Sequence, residues 1–326
     1  MLKTLLLAAA AALSLGPALG QDVTTIKFGF SSVADLENDN GAAALLFKNY
    51  VESNSDDLVV DIQGSSGLGS DADVIQALQL GAGATMYIGG TATFNTFIAK
   101  IGVLDLPFLW SDYAHVGRAL DGEVGTSLKA DFEAAGFKAL GYGFSWGYRN
   151  VVTKGVAVTE PDDLAGLKLR TIQSPIYVAA INAMGANATP MSFNEVYTAL
   201  QTGVLDGFEH AASMVYSAKL YEVSDHLALT RHLFGPTAMV YSLAQWNQLT
   251  PEQQKIVQDG ADFALTIARA MAPGREQEAL QKLESVGMTI TEVDTSEFRA
   301  AAQPLQDELA EGIGAGDLLA AIRAAQ

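Results

Sequence analysis

The chain has 326 residues, no cysteine and a formal net charge of −18 at pH 7. Without cysteine it cannot build a disulfide framework or carry a thiol-linked lipid. The acidic balance excludes nucleic acid and anionic lipid surfaces as partners, because both require a basic footprint. An acid bound by such a chain needs a local cationic site, so the positions of the few arginines carry information.

The first 20 residues have the pattern of a secretory signal peptide. Lys3 provides the positive n-region, an apolar stretch of leucines and alanines follows, and Ala18-Leu19-Gly20 has the small residues of a cleavage site. The apolar stretch is shorter than the ~20 residues that span a bilayer. The sequence therefore predicts an exported protein that is cleaved near Gly20.

Strands and helices alternate after the signal peptide. Strand patterns occur in TTIKFGFSS, LVVDI and TMYIGG, and apolar residues recur at helical spacing in GAAALLFKNYVE and DADVIQALQLG between them. This alternation predicts βαβ units and a mostly parallel sheet. Strands and helices begin to alternate again after the strand FKALGYGF. GLKLRT and VLDGF have strand patterns, and PIYVAAINAMG and FNEVYTALQTG have helical ones. The sequence thus predicts an α/β protein with two lobes.

A long helix is predicted near the C-terminus. Thr250 and Gln253 form a capping-box pattern around Pro251, and the helix can continue over 251–285 with a bend near Pro273. At ~1.5 Å per residue such a helix is about 50 Å long, which exceeds the ~30 Å diameter of a small domain. It is therefore expected to brace both lobes.

The stretch GFSWGYR contains a G-x-S-x-G pattern at Gly143, Ser145 and Gly147. A hydrolase elbow needs a helix directly after the serine, but here aromatic and β-branched residues follow without a helical period. Histidines lie downstream, and no spacing selects one of them as a triad base. A secreted serine esterase using Ser145 is kept as a remote alternative, and the sequence predicts a protein without catalytic residues.

Motifs for metals and cofactors are incomplete. The chain has no H-E-x-x-H pattern and no glycine-rich phosphate loop with its lysine. The acidic stretch DLENDNG places Gly41 one position late for a calcium loop and has Leu46 where the bidentate glutamate belongs. We therefore expect neither a metal nor a cofactor.

Arg170 stands at the end of the predicted strand GLKLRT, and Pro175 indicates a strand-to-helix crossover just beyond it. Ligands of α/β lobes bind beyond the carboxyl ends of strands. A guanidinium can hold a carboxylate there through two parallel hydrogen bonds. From its position alone, a structural ion pair for Arg170 is an equally open alternative.

The segment DDLAGLKLRTIQSPIYVAAINAMGANATPMSFNEVYTALQTGVLDGFEH closely resembles the DctP-type solute-binding proteins of TRAP transporters. A weaker resemblance covers most of the chain after the signal peptide, including GSSGLGSD, LDLPFLW, GYR at 147–149, LYEVSDHLALTRH and the helix after LTPEQQ. It implies a two-lobed periplasmic binding protein fold of the α/β class, with a ligand cleft between the lobes and a long C-terminal helix bracing both. It also implies a protein that is not an enzyme and that delivers an organic acid to the membrane subunits of a TRAP permease.

The resemblance also implies an organisation of the chain and an oligomeric state. A monomer is favoured over a dimer. The expected segments are a signal peptide at 1–20, lobe I at 21–145, lobe II at 146–230, a return to lobe I at 231–273, the long helix at 251–285, and a C-terminal segment at 286–326 on lobe II and the outer surface.

Four ligand contacts follow from the family pattern. Arg170 matches the carboxylate clamp, and Arg149 matches a second arginine that often assists it. Phe193 matches a position that packs on the ligand, and Trp146 is expected to face the cleft. For the two aromatic residues, ordinary core packing is an open alternative.

Three further residues complete the predicted ligand site. Most relatives have D-G-Q-E-N where this chain has DGFEH, so His210 replaces an asparagine beside Glu209. Asp71 stands where relatives can hold a ligand amine or hydroxyl, and Gly89 suggests room for a longer ligand. A hydroxylated or sugar acid is the favoured ligand, and a C4-dicarboxylate or a 2-oxo acid is the alternative.

Overall fold

The computed structural model describes residues 23–144 and 147–326. The predictions for the signal peptide, Ser145 and Trp146 lie outside these residues. The strands within them are β1 (Thr24–Gly29), β2 (Leu58–Gln63), β3 (Met86–Gly90), β4 (Phe137–Gly143), β5 (Tyr148–Thr153), β6 (Lys168–Thr171), β7 (Asn187–Pro190), β8 (Gly207–His210), β9 (His226–Phe234), β10 (Thr237–Ser242) and β11 (Thr289–Thr291).

Helices cover the strands and connect them. They are α1 (Asp39–Asn54), α2 (Asp71–Gln79), α3 (Tyr113–Asp121), α4 (Glu123–Ala134), α5 (Pro175–Ala183), α6 (Val196–Gln201), α7 (Ala212–Ser217), α8 (Leu243–Trp246), α9 (Pro251–Ser285), α10 (Ser296–Ala302), α11 (Leu305–Gly312) and α12 (Gly316–Ala324). Short 3₁₀ turns lie at Thr91–Phe94, Ala99–Asp105, Pro161–Leu164, Phe193–Glu195 and Leu220–Glu222.

The strands form two sheets, and each sheet is the centre of one lobe. The first lobe has the strand order β2-β1-β3-β10-β4, and the second has β11-β9-β5-β8-β6-β7. In the first sheet β10 runs antiparallel to β3 and β4, and in the second β5 runs antiparallel to β8 and β9. Because β4 and β5 belong to different sheets, as do β9 and β10, the chain crosses between the lobes from strand to strand. This arrangement confirms the predicted two-lobed α/β fold.

The first sheet is covered on both faces. Strands β3 and β10 are buried along their whole lengths. Successive side chains point to opposite faces of a strand. Accordingly, Val240 packs in an apolar cluster with Leu128 and Phe137, whereas Tyr241 packs in another with Phe28. Two-sided burial explains why the central strands have continuous apolar runs rather than alternating ones.

Helix α9 has 35 residues and begins at the predicted capping box. The hydroxyl of Thr250 accepts a hydrogen bond from the Gln253 backbone N–H, and the Gln253 side chain accepts one from the Thr250 N–H. The helix continues through Pro273 and packs against α1 of the first lobe and α7 of the second. It therefore braces both lobes, as predicted.

The borders of the lobes differ from the expected ones in two places. Strand β9 stays in the second sheet as far as Phe234, so the chain returns to the first lobe a few residues after 231. The C-terminal segment divides between the lobes: β11 pairs with β9, and Phe298 packs in the second lobe, whereas Leu319 and Ile322 pack in the core of the first. The apolar face of α12 needs a core to bury it, and the first lobe provides that core.

Across residues 23–144 and 147–326, no helix combines the length and the apolarity needed to cross a bilayer.

Candidate functional site

A cavity of about 260 Å³ lies between the two lobes. It faces the carboxyl ends of parallel strands in both sheets, the position in which α/β lobes bind ligands. The first lobe lines it with Ser31, Asp71, Ala72, Thr93 and Thr96, and the second with Arg170, Ile172, Gln173, Met191, Ser192, Phe193, His210 and Met214. Four residues predicted for the ligand site are therefore brought together here, namely Arg170, His210, Phe193 and Asp71.

Arg170 enters the cavity from β6, which lies between β7 and β8 in the second sheet. The side chain is buried, and its Nε and Nη2 donate hydrogen bonds to the Met191 carbonyl at 2.8 and 2.6 Å. The guanidinium carbon lies 5.7 Å from the centre of the Phe193 ring. These contacts leave the Nη1 side of the guanidinium fork without a protein carboxylate, because no ion pair involves Arg170 among the described residues.

Arg170 keeps its charge at neutral pH. Burial lowers the pKa of its guanidinium to about 10, with further lowering by Arg149 and partial compensation by Glu209 and Asp71. A buried charge is costly unless it is paired. An anion placed in the cavity would supply such a partner.

Arg149 and Glu209 lie behind the cavity wall rather than in its lining. Both side chains are fully buried and form an ion pair, in which Nε of Arg149 donates to Oε2 of Glu209 and Nη2 donates to Oε1 at 2.8 Å. Burial opposes ionisation of Glu209, but Arg149 and His232 outweigh it and lower the pKa of that carboxyl to about 2. Direct ligand contact by Arg149 or Glu209 therefore stays a prediction, whereas their mutual contact is a feature of the fold.

The same ion pair is bonded to the strand that carries Arg170. Thr171 follows Arg170 in β6, and its hydroxyl donates to Oε1 of Glu209 at 2.8 Å. Nε2 of His232 lies 3.8 Å from Oε2 of the same carboxylate. Sequence reasoning did not identify Thr171 or His232, since only the pairing of distant strands brings them to Glu209.

His210 is neutral in this environment. Burial lowers the pKa of its imidazole well below the ordinary value, and the charges of Arg149 and Arg170 lower it further. The backbone N–H of Ala211 donates to Nδ1 at 2.9 Å, so the neutral ring carries its proton on Nε2. The ring lies edge-on to Phe193, with centroids 5.3 Å apart. His210 thus has one N–H donor, where an asparagine would have an NH2 group, and it adds no charge.

Asp71 lies across the cavity from the second lobe, at the first position of α2. Its Oδ1 accepts a hydrogen bond from the Tyr87 hydroxyl at 2.8 Å. Burial raises the pKa of the Asp71 carboxyl, and hydrogen bonds from Tyr87 and Ser31 together with the charge of Arg170 offset part of that rise. Sequence reasoning found Asp71 but not the tyrosine that anchors it.

Among residues 23–144 and 147–326, no group of histidine, aspartate and glutamate side chains is arranged to hold a metal ion. Trp146, which was expected to face the cleft, lies outside the described residues.

Residues 30–312 match the family model DctP, described as bacterial extracellular solute-binding protein, family 7. The chain belongs to this family. Its members are periplasmic substrate-binding components of TRAP transporters and are not enzymes. The resemblance read from the sequence is therefore confirmed, and a secreted serine esterase is ruled out as the function of this solute-binding protein.

Several relatives match this solute-binding protein over nearly its full length. The 2,3-diketo-L-gulonate-binding periplasmic protein of Escherichia coli is 33% identical over 301 residues, which cover 91% of each chain. The C4-dicarboxylate-binding periplasmic protein of Rhodobacter capsulatus is 33% identical, with 98% of this chain and 96% of that one covered. The sugar acid binding protein of Advenella mimigardefordensis in complex with galactonate superimposes with a TM-score of 0.89 at 29% identity, covering 94% of this chain and 99% of the other.

Proposed function

We propose that this solute-binding protein captures an organic acid in the cavity between its lobes, with Arg170 as the carboxylate clamp, and delivers it to the membrane subunits of a TRAP permease. One observation carries the assignment of the clamp. Arg170 is a buried, charged guanidinium that lines the cavity and forms no ion pair with the described residues.

The geometry of Arg170 suits a carboxylate ligand. The Met191 carbonyl accepts from Nε and Nη2, and the Phe193 ring lies against the guanidinium, so the side chain is held before a ligand arrives. A guanidinium has five donors in a rigid fork, and the remaining donors can bind both carboxylate oxygens. Charge-assisted hydrogen bonds of this kind are roughly twice as strong as neutral ones.

A hydroxylated or sugar acid fits the remaining lining best. Hydroxyl groups of Ser31, Thr93 and Thr96 come from the first lobe, and the side-chain amide of Gln173 and the neutral ring of His210 come from the second. These groups can donate to and accept from several ligand hydroxyls. The structural relative from Advenella mimigardefordensis, which holds galactonate, supports this ligand class.

A C4-dicarboxylate or a 2-oxo acid is the alternative ligand in the same role, since one relative is named for each kind of ligand. Arg149, the second arginine of the family pattern, is the residue that could hold the second carboxylate of such a ligand. In this structure Arg149 is paired with Glu209, and a ligand carboxylate would have to disrupt that buried ion pair to reach it. The arrangement thus favours an acid with one carboxylate.

Ligand binding is coupled to closure of the lobes. Hydrogen bonds already join the two lobes: Nδ2 of Asn95 donates to Oγ of Ser174 at 2.7 Å, and Nδ2 of Asn38 donates to Oγ of Ser217 at 3.1 Å. A ligand that touches both lobes shifts the population towards the closed state. We propose that the permease recognises this closed state.

The proposed function requires the protein to reach the periplasm. We expect export to the periplasm, removal of the signal peptide near Gly20 and a monomer in solution. The intact mass of protein recovered from the periplasm would give the cleavage position, and light scattering of the same sample would give its oligomeric state.

Thermal unfolding of the mature protein in the presence of organic acids tests the proposed function. A ligand at a hundred times its dissociation constant adds about 2.7 kcal/mol to the free energy of unfolding, which a melting curve resolves. The panel contains sugar acids, dicarboxylates, 2-oxo acids and amino acids, added to protein that has been unfolded and refolded to remove carried-over ligand. We expect a shift with hydroxylated acids in the wild type and none in Arg170→Ala. No shift with any acid would contradict the proposal.

A further inference from the structure

The lining of the cavity, as far as the described residues extend, has two charged side chains of opposite sign. Asp71 comes from the first lobe and Arg170 from the second. His210, the other titratable side chain of the lining, is held neutral by burial. A ligand that touches both lobes can therefore contact an anion on the first lobe and a cation on the second.

Asp71 is held in place by Tyr87 on β3. The buried Tyr87 hydroxyl donates to Oδ1 of Asp71 at 2.8 Å and lies 3.5 Å from Oγ1 of Thr93. Gly89 provides the space for this contact, because a Cβ at that position would collide with the Tyr87 hydroxyl. The room that Gly89 suggested for a longer ligand is thus filled by the tyrosine, and the glycine serves to fix the carboxylate.

An ionised carboxylate accepts hydrogen bonds and donates none. Tyr87 and Ser31 occupy part of the accepting capacity of Asp71, and the rest is available to a ligand in the cavity. A ligand hydroxyl can satisfy it. A ligand carboxylate cannot, because two carboxylates would face each other without a shared proton in a partly desolvated site.

We propose that Asp71, held by Tyr87 over Gly89, is the residue that selects acids with one carboxylate and a hydroxylated far end and that rejects dicarboxylates. The inference rests on the proposed function of Arg170, since it needs the ligand carboxylate at the opposite end. It goes further by naming the residue that excludes a second carboxylate and the side chains that position that residue.

The selection depends on pH in a defined direction. The groups that face Asp71 are Tyr87 from β3, Ser31 after β1 and, across the cavity, Arg170 from β6, while Asp73 on the same helix is engaged with Ser70 at the surface. As pH falls, protonation of Asp71 removes the repulsion of a second ligand carboxylate. Dicarboxylate binding to the wild type should therefore strengthen at acid pH.

Calorimetric titration with matched acids tests the inference. D-Galactonate and galactarate differ only in their terminal group, as do D-erythronate and meso-tartrate, so each pair compares a hydroxyl with a carboxylate at constant length. At pH 7.5 we expect the wild type to bind the monocarboxylate of at least one pair about tenfold or more tightly than its dicarboxylate partner. Binding of neither pair would overturn the inference.

The decisive variant is Asp71→Asn, which removes the negative charge and keeps the size of the side chain. We expect the ratio of the two dissociation constants to shift towards the dicarboxylate by about tenfold or more. In this variant the ratio of the two dissociation constants should change with pH only as far as the titration of the ligand itself requires. A ratio within threefold of the wild type would overturn the inference.

Two further variants separate the roles. Asp73→Asn alters the capping box of the same helix without touching the cavity lining, and it should keep the wild-type ratio. Tyr87→Phe keeps the ring but removes the anchoring hydroxyl, and it should relax the ratio in the same direction as Asp71→Asn. If Arg170→Ala binds both acids as the wild type does, the proposed function fails. If Arg170→Ala loses both acids while Asp71→Asn keeps the ratio, only the present inference fails.

Discussion

The guanidinium of Arg149 and the carboxylate of Glu209 form an ion pair in which both side chains are fully buried. The two residues lie on neighbouring antiparallel strands, β5 and β8, directly behind the cavity. Arg149 is thus neutralised within the fold, whereas Arg170 lines the cavity and forms no ion pair with the described residues. The pair also binds Thr171, so it fixes the strand from which Arg170 projects.

Glu209→Gln should destabilise the protein strongly. It leaves the buried charge of Arg149 without its carboxylate, and breaking a buried pair by removing one partner typically costs about 3–5 kcal/mol. Chemical denaturation of the ligand-free protein measures this. The matched control is Glu292→Gln, which breaks the exposed pair with Arg231 and should cost less than about 1 kcal/mol. Equal losses for the two variants would contradict the structural role of Glu209.

Asp105→Asn should change how stability depends on pH. Asp105 is fully buried, and its Oδ1 accepts hydrogen bonds from Thr91 of the first lobe at 3.0 Å and Tyr177 of the second at 3.3 Å. Burial raises the pKa of this carboxyl from 3.8 to about 8. The effect of burial is larger than the lowering by the hydrogen bonds from Thr91 and Tyr177 and by the charge of Arg149. The folded state thus holds a proton that the unfolded chain has lost at neutral pH.

The stability that this proton provides is fully present below the unfolded pKa and is lost as pH rises through the folded pKa. Between about pH 5.5 and 8, the free energy of unfolding of the wild type should fall relative to Asp105→Asn by up to about 1.4 kcal/mol per pH unit. Denaturation curves at several pH values measure the difference. Asp56→Asn, which removes an exposed carboxyl of the same lobe, is the matched control variant. Parallel curves for Asp105→Asn and the wild type would show that the carboxyl is not protonated in the fold.

Ser217→Ala should weaken ligand binding without altering the cavity. Oγ of Ser217 accepts from Asn38 at 3.1 Å and donates to Asp35 at 3.3 Å, so both bonds join the second lobe to the first. If they form on closure, their loss of about 1 kcal/mol each shifts the population towards the open state and raises the dissociation constant by up to about thirtyfold. Ser285→Ala removes a hydroxyl that bonds only within its own helix end and should leave the affinity unchanged. An unchanged ligand affinity of Ser217→Ala would show that these two hydrogen bonds do not stabilise the closed state.

The same capping pattern was reliable at one helix and not at another. At Thr250 and Gln253 both reciprocal hydrogen bonds form, and α9 begins there. Ser192 and Glu195 have the equivalent S-x-x-E spacing, which also predicts a helix start, but a 3₁₀ turn occupies 193–195 and the Ser192 hydroxyl makes no capping bond. Ser192 lies in the cavity lining, so its local environment, which the sequence does not show, decides its partner.

The ligand site was only partly predictable for a similar reason. The position of Arg170 in the cavity lining could be predicted from the end of its strand, whereas its role as a clamp was implied by the family resemblance and stays a prediction. The pairing of Arg149 with Glu209 could not, since the register between β5 and β8 brings together residues 60 positions apart. The sequence also did not show that Gly89 makes space for the side chain of Tyr87, because that depends on where the tyrosine ring lies.

The affinity of Arg170→Ala for the acid that stabilises the wild type is the most direct test of the clamp. Truncating one partner of a buried charge pair typically costs about 2–5 kcal/mol, so the dissociation constant should rise at least about thirtyfold. Arg323→Ala removes a surface arginine paired with Asp307 and should bind as the wild type does. An affinity of Arg170→Ala within threefold of the wild type would contradict the assignment of Arg170 as the carboxylate clamp.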